Sequence, residues 1–158
     1  TAYDVEIDFL ATGYRLPTEA EWECAAHGGA SAMQTAAYTK FAGSDSLDLV
    51  GWFYDNSTTP EGVRRTHPVA QKMKNAAGFC DLSGNVWEWC QDWHGEQYYK
   101  EFGSSAAKNP QGPVEDVRYR VLRGGSWIGN DDNSRAANRG NNFPDYRLND
   151  FGFRAARH

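Results

Sequence analysis

Hydrophobic and polar positions follow two different periods along this chain. The first is helical. In Tyr14-Arg15-Leu16-Pro17-Thr18-Glu19-Ala20-Glu21-Trp22, Thr18 stands as an N-cap with Glu21 three residues on, which makes a capping box. Glu19 and Glu21 suit the positive end of the helix dipole. Trp22, Ala25 and Ala26 share one face at i, i+3, i+4 spacing, with Trp22 as a core anchor, and Gly28-Gly29 stops the helix near His27. The second period is two. Val86, Glu88 and Cys90 alternate with Trp87 and Trp89, as in a strand, and Arg120–Arg123 and Phe153–Ala155 read as two more, the former ending at Gly124-Gly125. Between them, residues 30–75 are rich in Ser, Thr, Gly, Asp and Asn, with Trp52, Phe53 and Tyr54 interspersed, the pattern of long ordered loops pinned by aromatic plugs. Little helix, few strands and much loop predict an α+β domain around a small antiparallel sheet. No internal repeat or domain boundary is visible.

Composition narrows the function classes. The 158 residues, 40% of them hydrophobic, suffice for one domain with one sizeable core. No apolar run approaches the length of a membrane helix. The net charge of −5 argues against generic nucleic-acid binding. That charge is uneven. Residues 1–113 carry 8 Lys/Arg against 15 Asp/Glu, whereas residues 114–158 carry 8 against 6, and all eight of the latter bases are Arg. Arg suits buried, multiply bonded sites, so these bases are expected to be mainly structural. Cys24, Cys80 and Cys90 are odd in number and lack a C-x-x-C pair, and His27, His67, His94 and His158 have no ligand spacing. Haem, zinc and iron–sulfur sites are therefore not expected. The thiols read as inert, with one disulfide among them still open.

The C-terminal segment is biased in a particular way. Lys, Glu, Gln, Met and Trp make up 27 of residues 1–127. At that rate residues 128–158 should hold about six or seven, yet they hold none, while 6 of the 10 Asn fall there. Randomising both adenines of an Asn codon AAY yields NNY, which never encodes those five residues. Ile128, Gly129, Asn130, Asp131, Asp132, Asn133, Gly140, Asn141, Asn142, Phe143, Tyr146, Leu148, Asn149 and Asp150 are all within its reach. A plain Asn/Asp/Gly-rich loop, or an unrecognised catalytic site, would also accommodate this stretch.

Four segments, in order and spacing, resemble the formylglycine-generating-enzyme (sulfatase-modifying factor) family. They are Gly13–Glu23, Asp81–Trp89, Arg123-Gly124-Gly125-Ser126-Trp127, and Ser134–Arg139 with Gly152-Phe153-Arg154. The resemblance covers about residues 13–155 and implies a C-type lectin-like α+β fold, with residues 1–158 as a single domain, the C-terminal part of a longer protein. In the family, a copper-binding cysteine pair follows the Gly-Gly-Ser-aromatic segment. Here Trp127–Asn133 contains no cysteine, which leaves no soft ligand for copper and no thiolate there. The ergothioneine-type relatives use an iron site with several His, which this chain does not space as ligands. The family's segment matching Asp81–Val86 binds calcium, so Asp81, with the carbonyls of Leu82, Gly84 and Val86, could hold a structural Ca²⁺; a metal-free turn capped by Asp81 reads equally well. No other cofactor is implied.

Adenine-directed mutagenesis also marks the variable proteins of diversity-generating retroelements, and residues 120–157 resemble one of their variable regions, of the treponemal lipoprotein type. That resemblance implies a non-catalytic, diversified receptor. Its unknown macromolecular ligand, a protein rather than nucleic acid, would meet the fourteen residues from Ile128 to Asp150 named above. Phe143, Tyr146 and Ile128 would be its anchors. The chain would be displayed outside a bacterial cell, lipid-anchored through a preceding segment. Arg123, Gly125, Trp127, Arg135, Ala136, Arg139, Pro144, Arg147, Gly152, Phe153 and Arg154 would be scaffold, with Trp87, Trp89, Trp127 and Phe153 buried. The alternatives are a formylglycine-generating or related oxidoreductase and a structural or stalk module.

Overall fold

Helix α1 (Glu19–Ala26) begins where the capping box places it. The Thr18 Oγ1 accepts from the Glu21 N–H at 3.2 Å, and the Glu21 carboxylate accepts from the Thr18 N–H at 2.8 Å. The helix stops at His27, and Gly28 and Gly29 follow at φ 90° and 87°. In the computed structural model, which describes residues 8, 11–34, 38–103, 107–114 and 118–157, two shorter helices follow, α2 (Ala30–Gln34) and α3 (Leu47–Val50). The strands are β1 (Tyr14–Arg15), β2 (Trp87–Trp93), β3 (Arg120–Arg123), β4 (Arg139–Asn142), β5 (Phe151–Gly152) and β6 (Ala156–Arg157).

β1 pairs with β6, and the other four form one sheet in the order β4-β3-β2-β5. β4, β3 and β2 are antiparallel neighbours, but β5 runs parallel to β2, so the sheet is mixed rather than purely antiparallel. Trp22 and Ala26 of α1 pack with Ala42, Leu82, Cys90, Val121 and Ala136 as the main core, and Phe41, Leu47, Val50 and Phe53 form a second. The expected aromatic plugs divide: Phe53 is buried and Trp52 half-buried against His67, but Tyr54 is exposed.

β2 alternates as expected, with an unexpected choice of face. Glu88, Cys90 and Asp92 are buried toward α1, whereas Trp87, Trp89 and Trp93 are only half-buried on the opposite side. Buried carboxylates need partners; Glu88 and Glu19 are fully met, and Asp92 is met at one oxygen. Glu88 accepts from Trp22 Nε1 at 2.6 Å and from Arg154 Nε and Nη2 at 2.6 Å each. Asp92 Oδ2 accepts from the Glu19 N–H at 2.7 Å. Glu19, itself buried, accepts from Arg123 Nη1 at 3.2 Å and from Arg139 Nε and Nη2 at 2.7 and 2.8 Å. Three of the eight C-terminal arginines thus tie the sheet to buried or half-buried carboxylates. Arg118, Arg135, Arg147 and Arg157 lie on the surface.

Two strand-level expectations are corrected. The strand at 153–155 does not form: β5 ends at Gly152 and β6 begins at Ala156. Phe153 is 71% exposed, not core, because Phe151 holds the sheet position, edge-on to Trp89 at 5.5 Å, and the chain turns out while Arg154 turns in to Glu88. Trp127 is buried as expected. All three cysteines are free, and burial raises the Cys90 thiol well above its usual range. Among the described residues, no helix is long and apolar enough to cross a membrane.

Candidate functional site

The C-terminal surface is built on fixed backbone. Gly124 and Gly125 take φ of 91° and 73°, and a Cβ at Gly125 would lie 2.9 Å from the Asn133 carbonyl, so only glycine lets the two loops close on each other. Beyond them the chain is pinned from outside. The Trp127 N–H donates to the Asn85 carbonyl at 2.9 Å, Ser57 Oγ donates to the Trp127 carbonyl at 2.9 Å, and the Tyr54 N–H donates to the Gly129 carbonyl at 3.0 Å. Asn130 and Asn138 side chains hold Asn133. Segment 128–133 is thereby held by its backbone, with Ile128, Asn130, Asp131 and Asp132 exposed.

Ile128, Asn130, Asp131, Asp132, Asn141, Phe143, Tyr146, Leu148 and Asn149 are exposed, and Gly129, Asn133, Gly140 and Asn142 are half-buried. Asp150 departs from the expected solvent-facing set. It is 9% exposed and accepts a hydrogen bond from Ser126 Oγ at 3.0 Å, while its carbonyl takes the Trp87 N–H at 2.8 Å. It clamps the chain after Asn149 to Ser126, just before loop 128–133, and presents no surface. Gly140 presents none either. A Cβ there would meet the Trp87 ring at 2.9 Å, so the indole lies across β4 where a side chain would stand.

The surface has two ends. Ser126–Asp150 brings loop 128–133 and residues 148–149 together at the Trp87 end of β2. At the Trp93 end, Tyr119, Phe143 and Tyr146 pack in a row, with centroids 4.6 and 5.4 Å apart. The register places Trp89, Trp93, Leu122, Arg120, Gly140 and Asn142 on the sheet face away from α1, with Arg120 over the Trp93 ring at 3.8 Å. Tyr119, Trp93 and Arg120 precede the biased segment, so codon class does not single them out. The available signal was an aromatic flanked by two arginines, Arg118-Tyr119-Arg120.

No thiol joins this surface among the described residues. Cys24 is half-buried on α1 beside a cleft of about 720 Å³, Cys80 lies against the Lys72 carbonyl, and Cys90 is buried under the sheet. The Arg15–Glu21 pair that lines the cleft is closed on itself by two bonds of 2.6 Å. Bonding to Arg15 holds the Glu21 carboxyl below its ordinary range. At the turn before β2, Asp81 sits at φ 59°. Its Oδ2 accepts from the Ala70 N–H at 2.7 Å, but its Oδ1 is buried without a partner. That orphaned oxygen fits a hard cation, for which the carbonyls of Leu82, Gly84 and Val86 would be the further donors, while the Cys80 and Asp81 carbonyls accept from the Arg154 guanidinium at 3.2 and 3.3 Å. Among the described residues, no three His, Cys, Asp or Glu side chains cluster as a metal site.

Comparison with known proteins agrees with this architecture. The solved structure of Treponema denticola variable protein 1 superposes with a TM-score of 0.81 at 38% identity, over 97% of this chain and 51% of that one. The formylglycine-generating enzyme of Streptomyces coelicolor is 39% identical over 156 residues, 91% of this chain and 46% of the enzyme. A serine/threonine-protein kinase pkn1 of Chlamydia pneumoniae is 40% identical over 145 residues, 92% of this chain and 21% of the kinase. The chain thus spans about half of two of these relatives and a fifth of the third. The family profile of the sulfatase-modifying factor enzyme 1-like domain matches residues 3–158, and with it the chain belongs to that family, in the α+β, C-type lectin-like form that its sheets and helices display.

Proposed function

We propose that this chain is a non-catalytic binding domain whose C-terminal surface is diversified by a retroelement to meet a macromolecular ligand, most simply a protein. One observation carries the reading. Nearly all of the codon-biased set is exposed or half-exposed, while the backbone beneath it is hydrogen-bonded to residues outside the segment. Substitution at such positions changes recognition with little effect on stability. The name of the Treponema denticola relative, a variable protein, supports the same reading. The ligand surface is Ile128, Gly129, Asn130, Asp131, Asp132, Asn133, Asn141, Asn142, Phe143, Tyr146, Leu148 and Asn149. Display outside a bacterial cell, through a lipid anchor, goes with this role, since a diversified receptor needs access to its targets. A Ca²⁺ held at Asp81 would be structural, stiffening the turn that leads into β2.

The competing reading, an oxidoreductase that generates formylglycine, draws on the enzymes among the relatives. The thiols weigh against it, because none lies beside the exposed surface and the most buried is held protonated. The test is direct. Purified protein is incubated with a cysteine-containing sulfatase peptide, with and without copper, and mass spectrometry looks for loss of sulfur. No conversion above a no-enzyme control is expected; conversion would replace the binding reading with the enzymatic one. For diversification itself, a reverse transcriptase beside a near-identical template repeat is expected in the genomic neighbourhood, and an isolated gene would count against it.

A further inference from the structure

The aromatic row at the Trp93 end of the sheet joins a residue from outside the biased segment to two inside it. Tyr119, Phe143 and Tyr146 are 37%, 36% and 49% exposed, yet Phe143 packs against both tyrosine rings. Tyr119 is positioned by the sheet: its carbonyl accepts the His94 N–H at 2.7 Å, just past the end of β2. Phe143 is held by its N–H on the Asn142 side chain at 2.9 Å, and the Tyr146 N–H closes a turn on the Phe143 carbonyl at 3.1 Å. Rigid, part-exposed aromatics of this kind are where binding energy concentrates at interfaces.

The charge around the row points to the partner. Arg118 and Arg120 flank Tyr119, and Arg147 follows Tyr146. Arg118 and Arg147 are exposed, and Arg120 lies flat on Trp93 with a bond to the Gln91 carbonyl. On a chain of net charge −5, residues 118–120 and 143–147 carry three arginines against one acid, Asp145, with Glu115 and Asp116 earlier in the chain. Guanidinium groups beside exposed rings match carboxylates carried next to aromatic side chains. A long polyanion such as nucleic acid fits less well, because the acidic remainder of the chain would repel it.

We infer that Tyr119, Arg118 and Arg147 form a constant anchor of the diversified surface, which docks an acidic, aromatic-bearing protein segment in every variant. This rests on the binding reading above. A constant anchor supplies affinity common to all variants, and the diversified positions at the far end of β2 then select among partners.

The test is biolayer interferometry on immobilised poly(Glu,Tyr), with poly(Lys,Tyr) and a single-stranded oligothymidine as controls. The parent, Tyr119→Ala, the double variant Arg118→Glu/Arg147→Glu and Phe143→Ala are compared, each checked for its melting temperature. The parent is expected to hold poly(Glu,Tyr) and not poly(Lys,Tyr), and to lose affinity with added salt. Tyr119→Ala and the charge reversal should each weaken binding about tenfold or more. The charge reversal alters exposed side chains only, so it remains informative should Tyr119→Ala not fold. Loss with Phe143→Ala, but parental binding by Tyr119→Ala and by the charge reversal, overturns the constant anchor and leaves the binding surface standing. Parental binding by all variants overturns both. No binding of poly(Glu,Tyr) by the parent, or preference for oligothymidine, overturns the acidic protein partner.

Discussion

Replacing Glu19 by Gln tests the charged seam that joins α1 to the C-terminal half of the chain. The carboxylate is buried and accepts three guanidinium bonds, one from Arg123 and two from Arg139, between 2.7 and 3.2 Å. Glutamine keeps the volume but removes the charge and turns an amide N–H₂ toward donors. Breaking a buried pair by altering one partner costs about 3–5 kcal/mol, because the other charge stays buried. Arg123 keeps Glu23 at 2.6 Å and the Ala136 carbonyl at 2.8 Å, and Arg139 keeps the Gly95 carbonyl at 3.0 Å, which places the change near the lower end, about 3 kcal/mol. For a domain of this size each kcal/mol moves Tm by roughly 2–4 °C, so a fall of roughly 6–12 °C is expected. The assay is thermal and urea unfolding of the parent, Glu19→Gln, Arg123→Met and the double variant. The two sites share a contact, so the double variant should cost less than the sum of the singles by about 1–3 kcal/mol. A Glu19→Gln protein melting within a degree or two of the parent, or strictly additive costs, would refute the seam as a determinant of stability.

Asp92 gives a pH signature of opposite sign to the usual carboxylate. Burial pushes its pKa from 3.8 up to about 6, so the folded state holds its proton more tightly than the unfolded chain. Its contribution to stability is present below pH 3.8 and is lost as pH rises to about 6. Relative to the parent, Asp92→Asn should therefore gain stability across that window, and a pH-independent difference in urea midpoints would contradict it. Gly140→Ala must displace the Trp87 ring, costing roughly 1–3 kcal/mol and shifting tryptophan fluorescence; an unchanged spectrum and Tm would mean that the ring does not rest there. Substituting Ile128, Leu148 and Asn149 together within the NNY set should cost less than about 0.5 kcal/mol per site. By contrast, Asp150→Ala should cost about 1–3 kcal/mol by leaving the buried Ser126 hydroxyl unpaired, and equal costs at the two sets would erase the distinction between surface and clamp. Millimolar Ca²⁺ should raise Tm, reversibly with chelator, and Asp81→Ala should remove the effect; no Ca²⁺ response in the parent would leave the turn metal-free.

What the sequence determined by itself was local or countable. The capping box of α1 closes within four residues, so Thr18 and Glu21 suffice to predict it. The periods of β2 and β3 are likewise short-range, and the missing residue types after Trp127 are a matter of composition. Which side of β2 faces inward was decided only by the tertiary structure. Hydrophobicity alone would bury Trp87 and Trp89. Glu88 and Asp92 are inside instead because Trp22, Arg154 and the start of α1 reach them from more than sixty residues away. The same holds for the parallel β5, for the exposure of Phe153, for Asp150 as a clamp beside an exposed Asn149, and for Tyr119 joining Phe143. Each depends on a partner distant in sequence, and a buried polar group is placed by the bonds it can make, which no local pattern of polarity records.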